Sequence, residues 1–387
     1  MDKKFVMGIA AMAALTLVSC SSDDLDSFSD NSSKNEAISF DGYLGRSAVA
    51  VNGTRGSVLD VTALQSVGFG VFGNYSKDAT TAYGNNLFEN QQVTYDKSAT
   101  PAPKWTYSPL KFWPSDGHID FLAYAPYDKS TKLTDGSKID NFIVSKVITD
   151  QKDLLWTNAT SQISADVTSS KKKVNFQFHH ALSRLGYTVN LTGDYSSNPE
   201  NKATFTLKKI TLAGSSDGTK GAFYTSGTID LSKQNNKEGL WSNQTGKQKF
   251  DWSSVDKPVT YVNPTDPTKK PVSNLDTEYL FVIPQDFSKD KIEGQPDPDE
   301  LYVIVEYTIT YKDGKEQTNK VYKQIKRHFL QGKAYNLNLT LGLPIEFDVD
   351  VTGGVNAGVD GWDAPEDGTG DINIGSGSND NLWDGIE

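Results

Sequence analysis

Residues 174–191 read VNFQFHHALSRLGYTVNL, and their period decides the fold. Val174, Phe176 and Phe178 alternate with Asn175 and Gln177. After a short break, Leu185, Tyr187, Val189 and Leu191 alternate with small or polar residues. Successive side chains on a strand point to opposite faces, so an apolar set at period two marks a strand half-buried in a sheet. The period returns at Tyr335, Leu337, Leu339 and Leu341, and again at Leu301, Val303, Val305, Tyr307 and Ile309. In that last run Tyr302 and Ile304 occupy the opposite face, which predicts a strand covered on both sides. Turn dipeptides punctuate the runs at Asp135-Gly136, Gly214-Ser215, Asp217-Gly218 and Asp313-Gly314. No stretch keeps a helical period of 3.6 over three turns. The prediction is an all-β chain of antiparallel sheets packed face to face.

At 387 residues the chain exceeds one ordinary domain. A division near residue 182 yields two segments, 37–182 and 183–362, each of normal size for a β-sandwich. The formal net charge is −11, which argues against nucleic acid as a partner, because phosphates call for a basic surface. No Lys or Arg follows Lys333, whereas eleven Asp and Glu do, so the residues before Ala334 are balanced. Residues 363–387 are rich in Gly, Asp and Ser and read as an acidic disordered tail.

The single Cys rules out an intrachain disulfide, a four-cysteine zinc site and an iron–sulfur cluster. That Cys closes the leader MDKKFVMGIAAMAALTLVSC. Lys3 and Lys4 form a basic start, Phe5 to Val18 an apolar run too short to span a membrane, and Leu17-Val18-Ser19-Cys20 resembles a bacterial lipobox. Residues 1–19 are therefore expected to be a lipoprotein signal peptide and Cys20 the acylated first residue of the mature chain, held in the outer membrane by its acyl chains, palmitate among them. Residues 20–36 are polar and acidic and read as a flexible tether. Asp23 and Asp24 resemble a surface-export signal.

Catalytic patterns are missing. There is no nucleophile elbow and no P-loop; Gly68-Phe69-Gly70 lacks the Lys-Ser/Thr that would cradle a phosphate. His179 and His180 are neighbours in a strand, so their rings point apart and cannot share a metal; one is expected at the core edge and the other in solvent. His118 and His328 have no carboxylate at a diagnostic spacing. Asp363, Asp367 and Asp371 lack EF-hand spacing. Trp105 and Trp113, in an aromatic-dense stretch, are expected in the core rather than on a sugar-binding face. We therefore expect no enzyme, no metal and no cofactor.

Residues 105–127, WTYSPLKFWPSDGHIDFLAYAPY, resemble the signature of the bacterial fimbrillin family. Further blocks agree in type and order: Asp153-Leu154-Leu155, then Phe178-His179-His180-Ala181-Leu182-Ser183, Ile283-Pro284-Gln285, Gly332-Lys333-Ala334-Tyr335, and a terminal Trp362. The resemblance implies two tandem transthyretin-like β-sandwich domains in a surface lipoprotein of type V pili, as stalk, anchor or tip. It implies that a trypsin-like protease cuts after an Arg beyond the first strand, and that a strand from the next subunit fills the vacated groove. On this chain the displaced strand is 37–43, with Ile38 and Phe40 as core residues, and the processing candidates are Arg55 and Arg46. The donor is either the apolar pieces after Trp362 or the stretch Ile345 to Val351. Expected partners are other pilus subunits by donor-strand exchange, the outer membrane through Cys20, and a host or bacterial surface receptor. The competing reading is a surface glycan-binding lipoprotein that does not polymerise.

Overall fold

The computed structural model describes residues 37–44, 59–163, 173–197, 199–200, 202–234, 240–252, 256–266, 268–275, 278–343, 345–353 and 362–363. Cys20, Arg46, Arg55 and the tail beyond Asp363 lie outside the described residues.

The fold is almost wholly β. The strands of the first half are β1 (Ser39–Leu44), β2 (Phe69–Ser76), β3 (Phe88–Asp96), β4 (Lys104–Thr106), β5 (His118–Ala125), β6 (Lys138–Ile143), β7 (Leu155–Gln162) and β8 (Lys173–His180). A short helix, α1 (Val61–Val67), precedes β2. Asp60 caps it by accepting from the Ala63 N–H at 2.6 Å, and Gly68 ends it with a φ of 70°, a left-handed conformation that suits glycine. The second half supplies β9 (Ser183–Leu191), β10 (Ala203–Ala213), β11 (Phe223–Asp230), β12 (Trp241–Gln248), β13 (Phe250–Trp252), β14 (Lys257–Val259), β15 (Val272–Ser273), β16 (Leu280–Val282), β17 (Gln285–Asp286), β18 (Tyr302–Tyr311), β19 (Glu316–Gln324), β20 (His328–Phe329), β21 (Ala334–Gly342) and β22 (Glu346–Gly353).

Seven strands form the first sheet in the order β1-β8-β7-β5-β2-β3-β4. It curls so that its end strands β1 and β4 approach each other, enclosing a core of Phe40, Phe69, Phe88, Trp105, Phe121, Phe176 and Phe178. In the second half, one sheet runs β13-β10-β18-β19 with β14 beside β10, and another β15-β9-β21-β22 with β16 beside β9. Both are lined by residues of a second, larger core. Pairing is antiparallel throughout the main sheets except for β1 with β8 and β9 with β21, which are parallel.

The proposed division at 182/183 is crossed by several contacts. β6 pairs with β11 rather than with its own half. The Trp241 indole donates to the Ala181 carbonyl at 2.7 Å, and the Gln151 side-chain Oε1 accepts from the Phe281 N–H at 2.7 Å. Strand β5 shows the reason. All eight of its residues are buried. Phe121, Ala123 and Ala125 face the first core, while Leu122 and Tyr124 feed the second. One strand thus serves two cores through its two faces.

Candidate functional site

The candidate site is the seat of the first strand. Ile38, immediately before β1, and Phe40 and Leu44 within it share one face, and all three are buried. On one side it pairs with β8 from Ser39 opposite Lys173 to Leu44 opposite Phe178. On the other side it meets the loop after β4: the Ile38 N–H donates to the Lys111 carbonyl at 2.8 Å, and Ala37 forms an antiparallel bridge with Phe112. The Tyr107 hydroxyl donates to the Ile38 carbonyl at 2.7 Å. Burial pushes that phenol up from its ordinary value, which keeps it protonated and able to donate.

Phe40 sits at the centre of a ring cluster. Its centroid lies 5.3 Å from Tyr107, 5.5 Å from Phe88 and Phe176, and 5.6 Å from Phe121. Gly42 falls on the same inward face, where a Cβ would meet the Phe69 ring at 3.1 Å and the Phe178 ring at 3.3 Å. The seat is therefore wide at Ile38, Phe40 and Leu44 and narrow at Gly42. Taking β1 away would bare one edge of β8 and the Phe88, Phe121 and Phe176 rings. Sequence reasoning located Ile38 and Phe40 but missed Gly42 and Tyr107. The density of aromatics in 105–113 was the available signal.

The motif blocks of the sequence converge on a second buried point. Asp153 Oδ2 accepts from the Leu59 N–H at 3.0 Å and lies 2.8 Å from His180 Nδ1. Trp362, fully buried, stacks on His180 with centroids 3.9 Å apart and lies beneath the Arg184 guanidinium at 5.0 Å. Asp363 then bridges to Lys333. The expected split of the two histidines is half realised: His180 is buried, but His179 is half-buried beside Trp156 rather than in solvent. Burial, then the charge of His180, lowers the His179 pKa. His118 Nε2, expected to lack a diagnostic carboxylate, stands 3.0 Å from Asp120 Oδ2; residues two apart on a strand share a face. Trp105 and Trp113 are core residues, as expected. Gln285 ties the Ala222 carbonyl and Asp299, and the Tyr335 hydroxyl bonds the backbone at His328 and Leu330. The stretch offered as a donor, Ile345 to Val351, largely coincides with β22, which is paired along β21 with Phe347, Val349 and Val351 buried.

The profile of the fimbrillin-like family matches residues 57–362. The chain belongs to that family. This fimbrillin-like chain is thus a structural, pilus- and adhesion-related protein and not an enzyme. No curated protein matches its sequence. Among solved structures it is similar to a Bacteroides uniformis protein assigned to cell adhesion, at 16% identity and a TM-score of 0.44 over 82% of this chain and 99% of that one. A Bacteroides ovatus protein assigned to cell adhesion compares at 15% identity and a TM-score of 0.45, over 84% and 99%. The tip fimbrial protein Mfa3 of Porphyromonas gingivalis, C-terminally truncated, compares at 10% identity and a TM-score of 0.32, over 73% and 98%.

Proposed function

We propose that this chain is a surface lipoprotein subunit of a type V pilus, anchored through Cys20 and assembled by strand exchange. The observation that carries the reading is the seat of β1. A short N-terminal strand, joined to the rest by residues 45–58, supplies three buried side chains to the first core and completes the edge of β8. Cutting after Arg55 or Arg46 detaches that strand from the chain that follows. An incoming strand then regains the backbone ladder and the side-chain pockets together. It must offer large apolar residues at the Ile38, Phe40 and Leu44 positions and a small one at Gly42. β22 is already engaged with β21, which favours the segment after Asp363 as the donor. The two halves, 37–182 and 183–362, are proposed as tandem domains that remain joined after the cut.

The test is limited trypsin treatment of the purified chain, read by N-terminal sequencing and unboiled SDS gels. The reading requires a new N-terminus at Gly56 or Ser47 and ladders of SDS-resistant oligomers. A cut chain that stays monomeric, with residues 37–44 still bound, would defeat it. Cys20→Ala should release the protein from the membrane fraction; a variant that still fractionates with membranes would remove the lipid anchor from the proposal.

A further inference from the structure

Trp362 and Asp363 are the last described residues before the tail, and β8 is the strand paired with the occupant of the seat. The fold brings these two places together. The Asp363 N–H donates to the Gly332 carbonyl at 2.9 Å, and the Asp363 carbonyl accepts from the Ala334 N–H at 3.1 Å. The Gly332 N–H donates in turn to the Leu182 carbonyl at 2.8 Å, and the Arg184 N–H to the Lys333 carbonyl at 3.1 Å. Residues 182–184, 332–334 and 363 thus lie side by side. β9 with β21 and Lys333 with Asp363 are both parallel pairings. A pull on Asp363 toward the C-terminus, against a pull on β8 toward the N-terminus, therefore shears these backbone bonds together. It does not peel them one at a time.

Side chains lock the same place. His180 is the last residue of β8, and the buried Trp362 ring stacks on it at 3.9 Å. The Arg184 guanidinium lies 5.0 Å from the Trp362 ring and 4.5 Å from the Tyr279 ring. The Ser183 hydroxyl donates to the Leu330 carbonyl at 2.8 Å, and Lys333 Nζ stands 3.7 Å from Asp363 Oδ2. In sequence, β9 to β22 all lie between His180 and Trp362. In space the two rings touch, so the sheets of the second half hang off the route that joins them.

We propose that this junction is a mechanical clamp. Tension applied to the tail passes through Trp362 and Asp363 directly to β8 and the strand in the seat. The second half is bypassed and stays folded under load. Its use in a pilus rests on the strand-exchange reading, which sets where tension enters and leaves. The clamp itself belongs to the single chain and is tested there.

The experiment holds one uncut chain at constant force in an optical trap, with handles on Asn175→Cys and Glu387→Cys and with Cys20→Ala removing the native thiol. Rupture of the clamp should be followed by a lengthening of about 600 Å as residues 183–361 extend. Trp362→Ala should shorten the time to that event at least about tenfold. Trp362→Phe, which keeps a ring on His180, should recover most of it. Asp363→Pro, which removes the N–H bonded to Gly332, should shorten it about threefold or more and leaves the core untouched. A second geometry, with handles at Asn175→Cys and Glu346→Cys, loads the second half without the clamp; there each variant should stay within about threefold of the parent. Variants that last as long as the parent in the first geometry overturn the proposal. So does equal shortening in both geometries, which would make Trp362 a stabiliser of the second half and not a load path. A failed clamp in a chain that still forms SDS-resistant ladders sinks this inference alone. An absence of ladders sinks the strand-exchange reading and, with it, the clamp's use in a pilus.

Discussion

Phe40 concentrates the argument for the β1 seat in one side chain. It touches four rings contributed by three strands and a loop, so truncation leaves a cavity that no neighbour can fill. Phe40→Ala in the uncut chain should cost about 3–5 kcal/mol, read from the urea midpoint. Gly42→Val places carbon against Phe69 and Phe178 and should cost about 1–3 kcal/mol through overpacking. The same change at exposed Tyr43 should be close to neutral, so equal costs at the two positions would remove the narrow slot from the account. His179 gives the expectation for pH. Its folded pKa is lowered by burial, so below about pH 6.5 the unfolded chain binds the proton that the folded chain refuses. Stability therefore falls as pH drops from about 6.5 toward the lowered folded value. His179→Gln should reduce the decline between pH 7.5 and 5.5 in urea titrations.

At the scale of elements, β1 differs from its neighbours in what holds it. It lies at the end of the sheet order, whereas β8 is flanked by β1 and β7. Only two ladder positions, Leu155 with His180 and Trp156 with His179, join β7 to β8. Loss of β1 therefore strips most of β8 of pairing. Hydrogen exchange before and after the trypsin cut should show the amides of Lys173 to Phe178 losing protection, while those of β9 and β21 keep it. Protection should return when subunits assemble. Uniform exchange across both regions would indicate global loosening instead of a vacated seat. The β1 positions were legible because period two is written into Ile38 and Phe40. Its parallel partner was not, because strand direction depends on how the chain returns, which no local pattern records.

For the whole molecule, the junction matters more than either half. Asp153, the neighbouring His180 and Arg184, and Trp362 come from three separate stretches and meet in one buried cluster. β6 crosses to pair with β11, and β5 supplies both cores. The chain should accordingly unfold as one cooperative unit. Trp362→Ala should cost about 3–5 kcal/mol and broaden or split the calorimetric transition into two. A single sharp transition at the parent's temperature would show that Trp362 does not couple the halves.

The sequence by itself determined the all-β class, the apolar faces of the long strands, the burial of Trp105 and Trp113, and the motif blocks by which the family is known. Those follow from residue type and a period of two, which are local properties. What the tertiary structure decided was the meaning of those blocks: Asp153 against His180 and Trp362, Gly42 as the narrow point of the seat, and β5 as a strand with two cores. Each depends on contacts between residues far apart in the chain, and the folded topology alone specifies which distant residues become neighbours.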